Sequence, residues 1–317
     1  MRWQSLLITV LLPTLLLLAT SGCKQDPADL STDDTLIVAV SVPPHAWLVQ
    51  QVASNLPNVE VITVVPPGAS PATYQPTDIQ VSQLSKARLL FAAGVPFEQG
   101  AWAQALSNIK SLRTIDLRTG IELRDMESHS HDDHADSADD GHDEHDHNDE
   151  LLGKDPHTWL APSNLRVQAD AIARALAELD PANADAYQQN ALAVASELVT
   201  LDTDLVELLR PYRDRSFFVF HPAWGYFADA YGLNQIAIEI EGKNPTDREL
   251  TELQRMATET GTKTIFVQPQ IAGFAAEAVA TTIGGSVKRI DPLEPNVPDN
   301  LRAVANAIIA SFDEAGG

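Results

Sequence analysis

The run that most restricts how this chain can fold covers residues 182–210, with apolar side chains at Ala191, Val194, Leu198, Leu201, Leu205 and Leu208. Steps of three and four mark one stripe of an α-helix. Pro181 stands at a suitable first helical position. At 1.5 Å per residue such a helix extends about 43 Å, longer than one small domain needs. The spacing therefore predicts a stiff spine between two domains; two shorter helices broken near Thr200-Leu201-Asp202-Thr203 are the other solution. A chain of 317 residues exceeds the usual single-core size, which also favours two domains.

On both sides of the spine, short apolar runs alternate with helical periods. Before it, strands are expected at 35–40, 59–65, 88–92 and 111–115. Helices are expected from Pro43-Pro44 to about residue 55, from about residue 78, and at 98–107. His45 falls in the first turn of the first helix. After the spine, strands at 216–220, 235–238, 264–267 and 286–290 alternate with helices at 224–231, 246–259, 272–283 and 300–312. The pattern gives an α/β class with two lobes, each a four-stranded parallel sheet flanked by helices, joined by one long rigid interdomain helix. The expected division is an N-terminal lobe 35–162, a helical region 163–211 and a C-terminal lobe 212–317. Function in such sheets belongs at the carboxyl ends of the strands, where His221 and Asp291 fall. A cleft between two sets of strand ends is the natural place for a ligand.

Between the first sheet and the spine lie two contrasting segments. Residues 127–150 hold eleven acids, six histidines and no Lys or Arg, with no apolar period, so a disordered surface loop is expected. Its histidines, His129, His131, His134, His142, His145 and His147, suit weak, dynamic metal capture. Asp155-Pro156-His157-Thr158-Trp159-Leu160-Ala161-Pro162 then closes the loop. The two prolines keep it extended and present His157 stiffly, with Ser163 available to cap the following helix. Taken alone, His157 could equally well only pack beside Trp159.

The charge narrows the partners. With 44 acidic and 21 basic residues the net charge is −23, about half of it from 127–150, which disfavours nucleic acid and anionic membrane surfaces and favours a cation. The N-terminus belongs to targeting rather than to fold: Arg2, an apolar run over 5–19 and Thr20-Ser21-Gly22 precede Cys23, the only cysteine. Residues 1–23 resemble a bacterial lipoprotein signal, which implies lipidation at Cys23, a polar tether over 24–34 and a body held outside the cytoplasmic membrane. A single cysteine allows no internal disulfide.

Several motifs in order carry a family likeness over nearly the whole mature chain. These are Pro66-Pro67-Gly68-Ala69-Ser70-Pro71 with Tyr74-Gln75-Pro76-Thr77, Asp155-Pro156-His157-Thr158-Trp159, Asp180-Pro181, Tyr187-Gln188-Gln189-Asn190, His221-Pro222-Ala223-Trp224-Gly225-Tyr226 and Ile290-Asp291-Pro292-Leu293. They resemble the zinc- and manganese-binding substrate-binding lipoproteins of ABC importers, and the acidic histidine-rich loop resembles the zinc-associated branch. The resemblance implies a two-lobed receptor that binds one divalent cation and hands it to a membrane permease, with His157, His221 and Asp291 as ligands. Where the family pattern has a further histidine this chain has Ala72, which cannot coordinate. His45, at the carboxyl end of the first strand, is the expected replacement.

Three imidazoles and one carboxylate suit tetrahedral Zn2+, and manganese stays open through the carboxylate. Glu239 and Glu241 are reserve carboxylates, with surface charge as their expected role, and Trp159, Trp224 and Tyr74 are expected to pack around the site and keep it dry. The expected function is a high-affinity extracytoplasmic zinc receptor, monomeric, lipid-anchored and not an enzyme. A manganese receptor and a surface metal buffer or adhesin share these features. A zinc hydrolase lacks a recognisable base motif, since neither Gly-x-Ser-x-Gly nor His-Glu-x-x-His occurs.

Overall fold

The computed structural model describes residues 35–56, 58–126, 153–239, 245–271 and 273–315. The leader, the tether, Cys23, the six histidines of 127–150 and Glu241 lie outside the described residues. Eight strands form two sheets of four. β1 (Leu36–Val40), β2 (Val59–Thr63), β3 (Leu89–Ala92) and β4 (Arg113–Asp116) are ordered β2-β1-β3-β4. β5 (Ser216–Val219), β6 (Asn234–Ala237), β7 (Thr264–Val267) and β8 (Ser286–Arg289) repeat that order as β6-β5-β7-β8. Every pairing is parallel. Composition explains which strands are central. β3 (LLFA) and β7 (TIFV) are buried at every position, whereas β2 (VEVIT) and β8 (SVKR) keep exposed or half-buried residues at the sheet edge.

Helices α1 (Pro43–Val52), α2 (Asp78–Leu84) and α3 (Gly100–Ser107) connect the first sheet, and α6 (Gly225–Tyr231), α7 (Asp247–Thr260) and α8 (Gly273–Thr282) the second; α9 (Val297–Ala315) closes the chain. Two of these helices start two or three residues from the expected positions for local reasons. α3 starts at Gly100 because Pro96–Glu98 forms a separate 3-10 turn, whose Glu98 carboxylate accepts the N–H groups of Ala93 and Gly94, both at 2.8 Å. α9 starts at Val297, with Pro298 in its first turn, where a proline loses no helical hydrogen bond.

Between the sheets run α4 (Pro162–Leu179) and α5 (Ala184–Leu209). Ser163 does not cap α4; Pro162 takes the first helical position and Ala161 stands before it, without a side-chain cap. α5 is one unbroken helix of 26 residues, about 39 Å long. The hydroxyls that could have broken it bond back into it instead, Thr200 Oγ1 to Ser196 O at 3.2 Å and Thr203 Oγ1 to Val199 O at 2.9 Å. Val194, Leu198, Leu201, Leu205 and Leu209 bury its inner stripe, each leucine stabilising the fold by roughly 1.5–3 kcal/mol. α5 packs on α4, on α1 of the first lobe and on α6 and α9 of the second.

Polar contacts pin α5 to both lobes. Asn190 Nδ2 donates to Val52 O (3.0 Å) and Ser54 O (2.9 Å), taking up carbonyls at the end of α1. Tyr231 Oη on α6 donates to Asp202 Oδ1 at 3.1 Å, and Arg302 on α9 pairs with Asp204 at 3.3 Å. One apolar cluster runs from β1 and α1 through α4 and α5 to α9, so the spine is part of a core shared by both lobes, and a second cluster around Phe218, Phe220, Ile238, Leu253 and Ile265 lies within the second lobe.

Candidate metal centre

The carboxyl ends of the two sheets face a common region. β5 runs Ser-Phe-Phe-Val into Phe220 and His221, so a strand buried by its aromatics delivers an imidazole directly at its exit. β6 leads to Glu239 and β8 to Asp291 in the same lobe. From the first lobe, His157 stands just before the 3-10 turn Thr158–Leu160 that leads into α4.

His157 and His221 meet across the interface, with ring centroids 5.3 Å apart and planes 74° apart. Each ring is held by a carboxylate at Nδ1. Asp155 Oδ1 lies 2.7 Å from His157 Nδ1 and also accepts the His157 backbone N–H at 2.9 Å. Glu239 Oε1 makes the matching short contact with His221 Nδ1. A carboxylate can only accept, so Nδ1 carries the proton in both rings and Nε2 keeps the lone pair a metal needs. Burial pushes the His157 pKa below its ordinary value; the Asp155 charge and hydrogen bond pull upward, and the charges of His221 and Arg124 push further down. That ring therefore stays neutral and ligand-competent at neutral pH.

Glu239 is only 8% exposed, so the surface role expected for it is wrong: it stands at the end of β6, beside His221 at the end of neighbouring β5, and orients the imidazole. Asp291 is fixed on one oxygen. Its Oδ1 accepts from Gln270 Nε2 (2.8 Å) and from the Leu293 N–H (2.9 Å). Asn300 Nδ2 donates to its carbonyl at 2.7 Å. Among the described residues Oδ2 receives no hydrogen bond.

Trp159 is the hub of the first-lobe side. It is wholly buried, and its Nε1 donates to Pro292 O at 2.7 Å, joining the segment after His157 to the residue after Asp291. His157 packs against its edge at 5.4 Å and His45 at 5.5 Å. His45 is thus near the centre but inside the core. It is fully buried, neither ring nitrogen has a well-formed hydrogen bond among the described residues, and burial pushes its pKa down to about 4 against smaller upward pulls from the nearby Gln168 side chain and the Asp116 charge. Ala72 is exposed in the loop after β2 and contributes no donor. Trp224 is buried as expected. Tyr74 instead donates to Gln80 Oε1 at 2.7 Å, part of the capping box that starts α2.

The structure brings His157 and His221 together directly and ties Asp291 and His45 to them through Trp159. Among the described residues, no three His, Cys, Asp or Glu side chains already stand as a group that could hold a metal ion. Sequence reasoning missed the orienting role of Asp155, although its Asp-x-His spacing was the available signal, and gave no role to Arg124 or Gln270, which carry no local pattern at all.

Comparison with known proteins agrees over the length of the chain. Residues 38–310 match the family described as "ZnuA: Zinc-uptake complex component A periplasmic". The "High-affinity zinc uptake system protein ZnuA" of Paracoccus denitrificans is 34% identical over 266 residues, 78% of this chain and 80% of that one. A "Metal ABC transporter substrate-binding lipoprotein" of Lactococcus lactis is 26% identical over 298 residues, 89% of this chain and 87% of that one. A crystal structure of a ZnuA deletion mutant with zinc bound superimposes with a TM-score of 0.76 at 35% identity, covering 88% of this chain and 98% of that one. With the family matched from the first strand to the last helix, this chain belongs to the ZnuA family of periplasmic zinc-uptake components.

Proposed function

We propose that this protein is the extracytoplasmic receptor of an ABC importer, capturing Zn2+ between its lobes and delivering it to the permease. The single observation that carries the reading is the pair His157 and His221, brought from opposite lobes to 5.3 Å, each with Nδ1 taken by a carboxylate and Nε2 free to coordinate. The ligand set is His157, His221 and Asp291, with Oδ2 of Asp291 as the anionic donor. Two imidazoles and a carboxylate form a borderline-soft set suited to zinc and also able to hold manganese. Because these groups are close without yet forming a closed cluster, binding draws them together by a small approach of the lobes about α5.

The fourth position falls to His45 only if its buried ring leaves the core past Trp159. A water in that position requires no such movement, and the geometry supports it. The histidines of 127–150 recruit the ion at lower affinity. Lipidation of Cys23 would hold the monomeric receptor at the membrane, consistent with the lipoprotein name of the Lactococcus lactis relative. The family match supports a carrier and not a catalyst.

Zinc titration by calorimetry tests the reading. The wild-type chain is expected to bind about one ion tightly, His157→Ala and His221→Ala to lose that binding, and His45→Ala to keep it. Tight binding that survives loss of both His157 and His221 would refute the site.

A further inference from the structure

Beside the ligands, one arginine joins the two lobes. Arg124 lies after β4, in a segment paired with the approach to His157: Asp125 bridges Lys154, the Met126 N–H donates to Gly153 O at 2.8 Å, and the Asp155 N–H donates to Arg124 O at 3.0 Å. Its guanidinium reaches in two directions. Nη1 pairs with Asp155 Oδ2 at 3.3 Å, the second oxygen of the carboxylate that holds His157. Nε pairs with Asp229 Oδ2 at 2.9 Å, on α6 of the other lobe, a helix that begins four residues after His221.

Tyr226 of α6 closes the arrangement. Its Oη donates to Asp155 O at 3.0 Å and accepts the Arg124 N–H at 3.3 Å. The guanidinium lies directly over Gly225: a Cβ added there would lie 1.4 Å from Arg124 Nη1, so any larger residue would push the guanidinium aside. Asp155 is fully buried and Asp229 largely exposed, so Arg124 spans from the interior of the site to the surface of the cleft. Both oxygens of Asp155 are thereby engaged, one by the ligand ring and one by a residue anchored to the opposite lobe.

We propose that Arg124 is a positioning residue for the transported ion, acting as an interlobe latch. Through Asp155 it fixes the orientation of the His157 ring. Through Asp229 and Tyr226 it makes that orientation depend on how closely α6 approaches the Arg124–Asp155 pair. A permease that draws α6 away therefore loosens His157 and frees the ion, without touching the ligands. The inference rests on the receptor reading above.

The test measures zinc release from the full chain by stopped-flow mixing with a chelating dye, alongside the melting temperature of the metal-free protein. Arg124→Gln removes the latch, Gly225→Ala displaces the guanidinium, and Asp229→Asn, at the surface and away from the ligands, cuts only the arm to α6. Each is expected to raise the zinc dissociation rate about tenfold or more, within the range seen when partners of metal ligands are removed. The double variant Arg124→Gln/Asp229→Asn should release zinc no faster than Arg124→Gln alone. A lowered melting temperature with an unchanged dissociation rate in Asp229→Asn and Gly225→Ala would overturn the latch, leaving Arg124 a structural ion pair. Failure of the wild-type chain to hold zinc tightly would instead overturn the receptor reading itself.

Discussion

Asp155 and Glu239 do for the two imidazoles what the fold alone cannot, fixing which ring nitrogen carries the proton and which keeps its lone pair. Asp155→Asn and Glu239→Gln should each weaken zinc binding by roughly 10–100-fold in a competition titration, with the folded circular dichroism spectrum retained. His45 gives a second residue-scale test. Its folded pKa is about 4, whereas the ring in the unfolded chain titrates near 6.5. Between those values the unfolded chain takes up a proton that the native core refuses, so stability is lost as pH falls through about 6.5 towards 4. The loss reaches on the order of 3 kcal/mol at pH 4. Urea unfolding of the metal-free protein from pH 7 to pH 4 should show this loss, and His45→Leu should remove that part of it. At this scale the sequence was only partly legible. His221 and Asp291 could be placed because each comes just after a strand, the buried β5 for His221 and the edge strand β8 for Asp291. The inward turn of His45 depends on the packing of α1 and Trp159, and the pairing of Glu239 with His221 depends on strand order, neither of which a linear pattern contains.

Among the elements, α5 carries the most information. Its stripe of Val194, Leu198, Leu201, Leu205 and Leu209 faces a core shared by both lobes, and it is pinned by Asn190 at one lobe and by Asp202 and Asp204 at the other. Leu205→Ala should therefore cost about 2–5 kcal/mol. Because the apolar cluster crosses α5, thermal unfolding should remain a single transition shifted as a whole; two separated transitions would show that the lobes fold independently. Both sheets and the spine were readable because apolar runs bounded by glycine and proline alternate with 3.6-residue periods. Helix starts were less so. Proline at the first helical position moved the beginning of α4 to Pro162, and the proline next to Val297 lies in the first turn of a longer α9 than its apolar period suggested.

For the whole molecule, two lobes that share a spine and are already joined by Arg124 and by the Trp159–Pro292 hydrogen bond have little room to swing. Zinc binding should change the radius of gyration in solution scattering by no more than about 1 Å, far less than a hinged closure would produce. The acidity of the chain has two sources, the segment 127–150 and a moderately acidic body, and only the body holds the paired histidines. The central claim is that transport-grade affinity belongs to the interlobe pair His157 and His221. Calorimetric titration of zinc into the chain lacking residues 127–150 tests it most directly. About one tightly bound ion per chain, lost when His221→Ala is added to the deletion, is the predicted result; disappearance of tight binding on the deletion alone would contradict it.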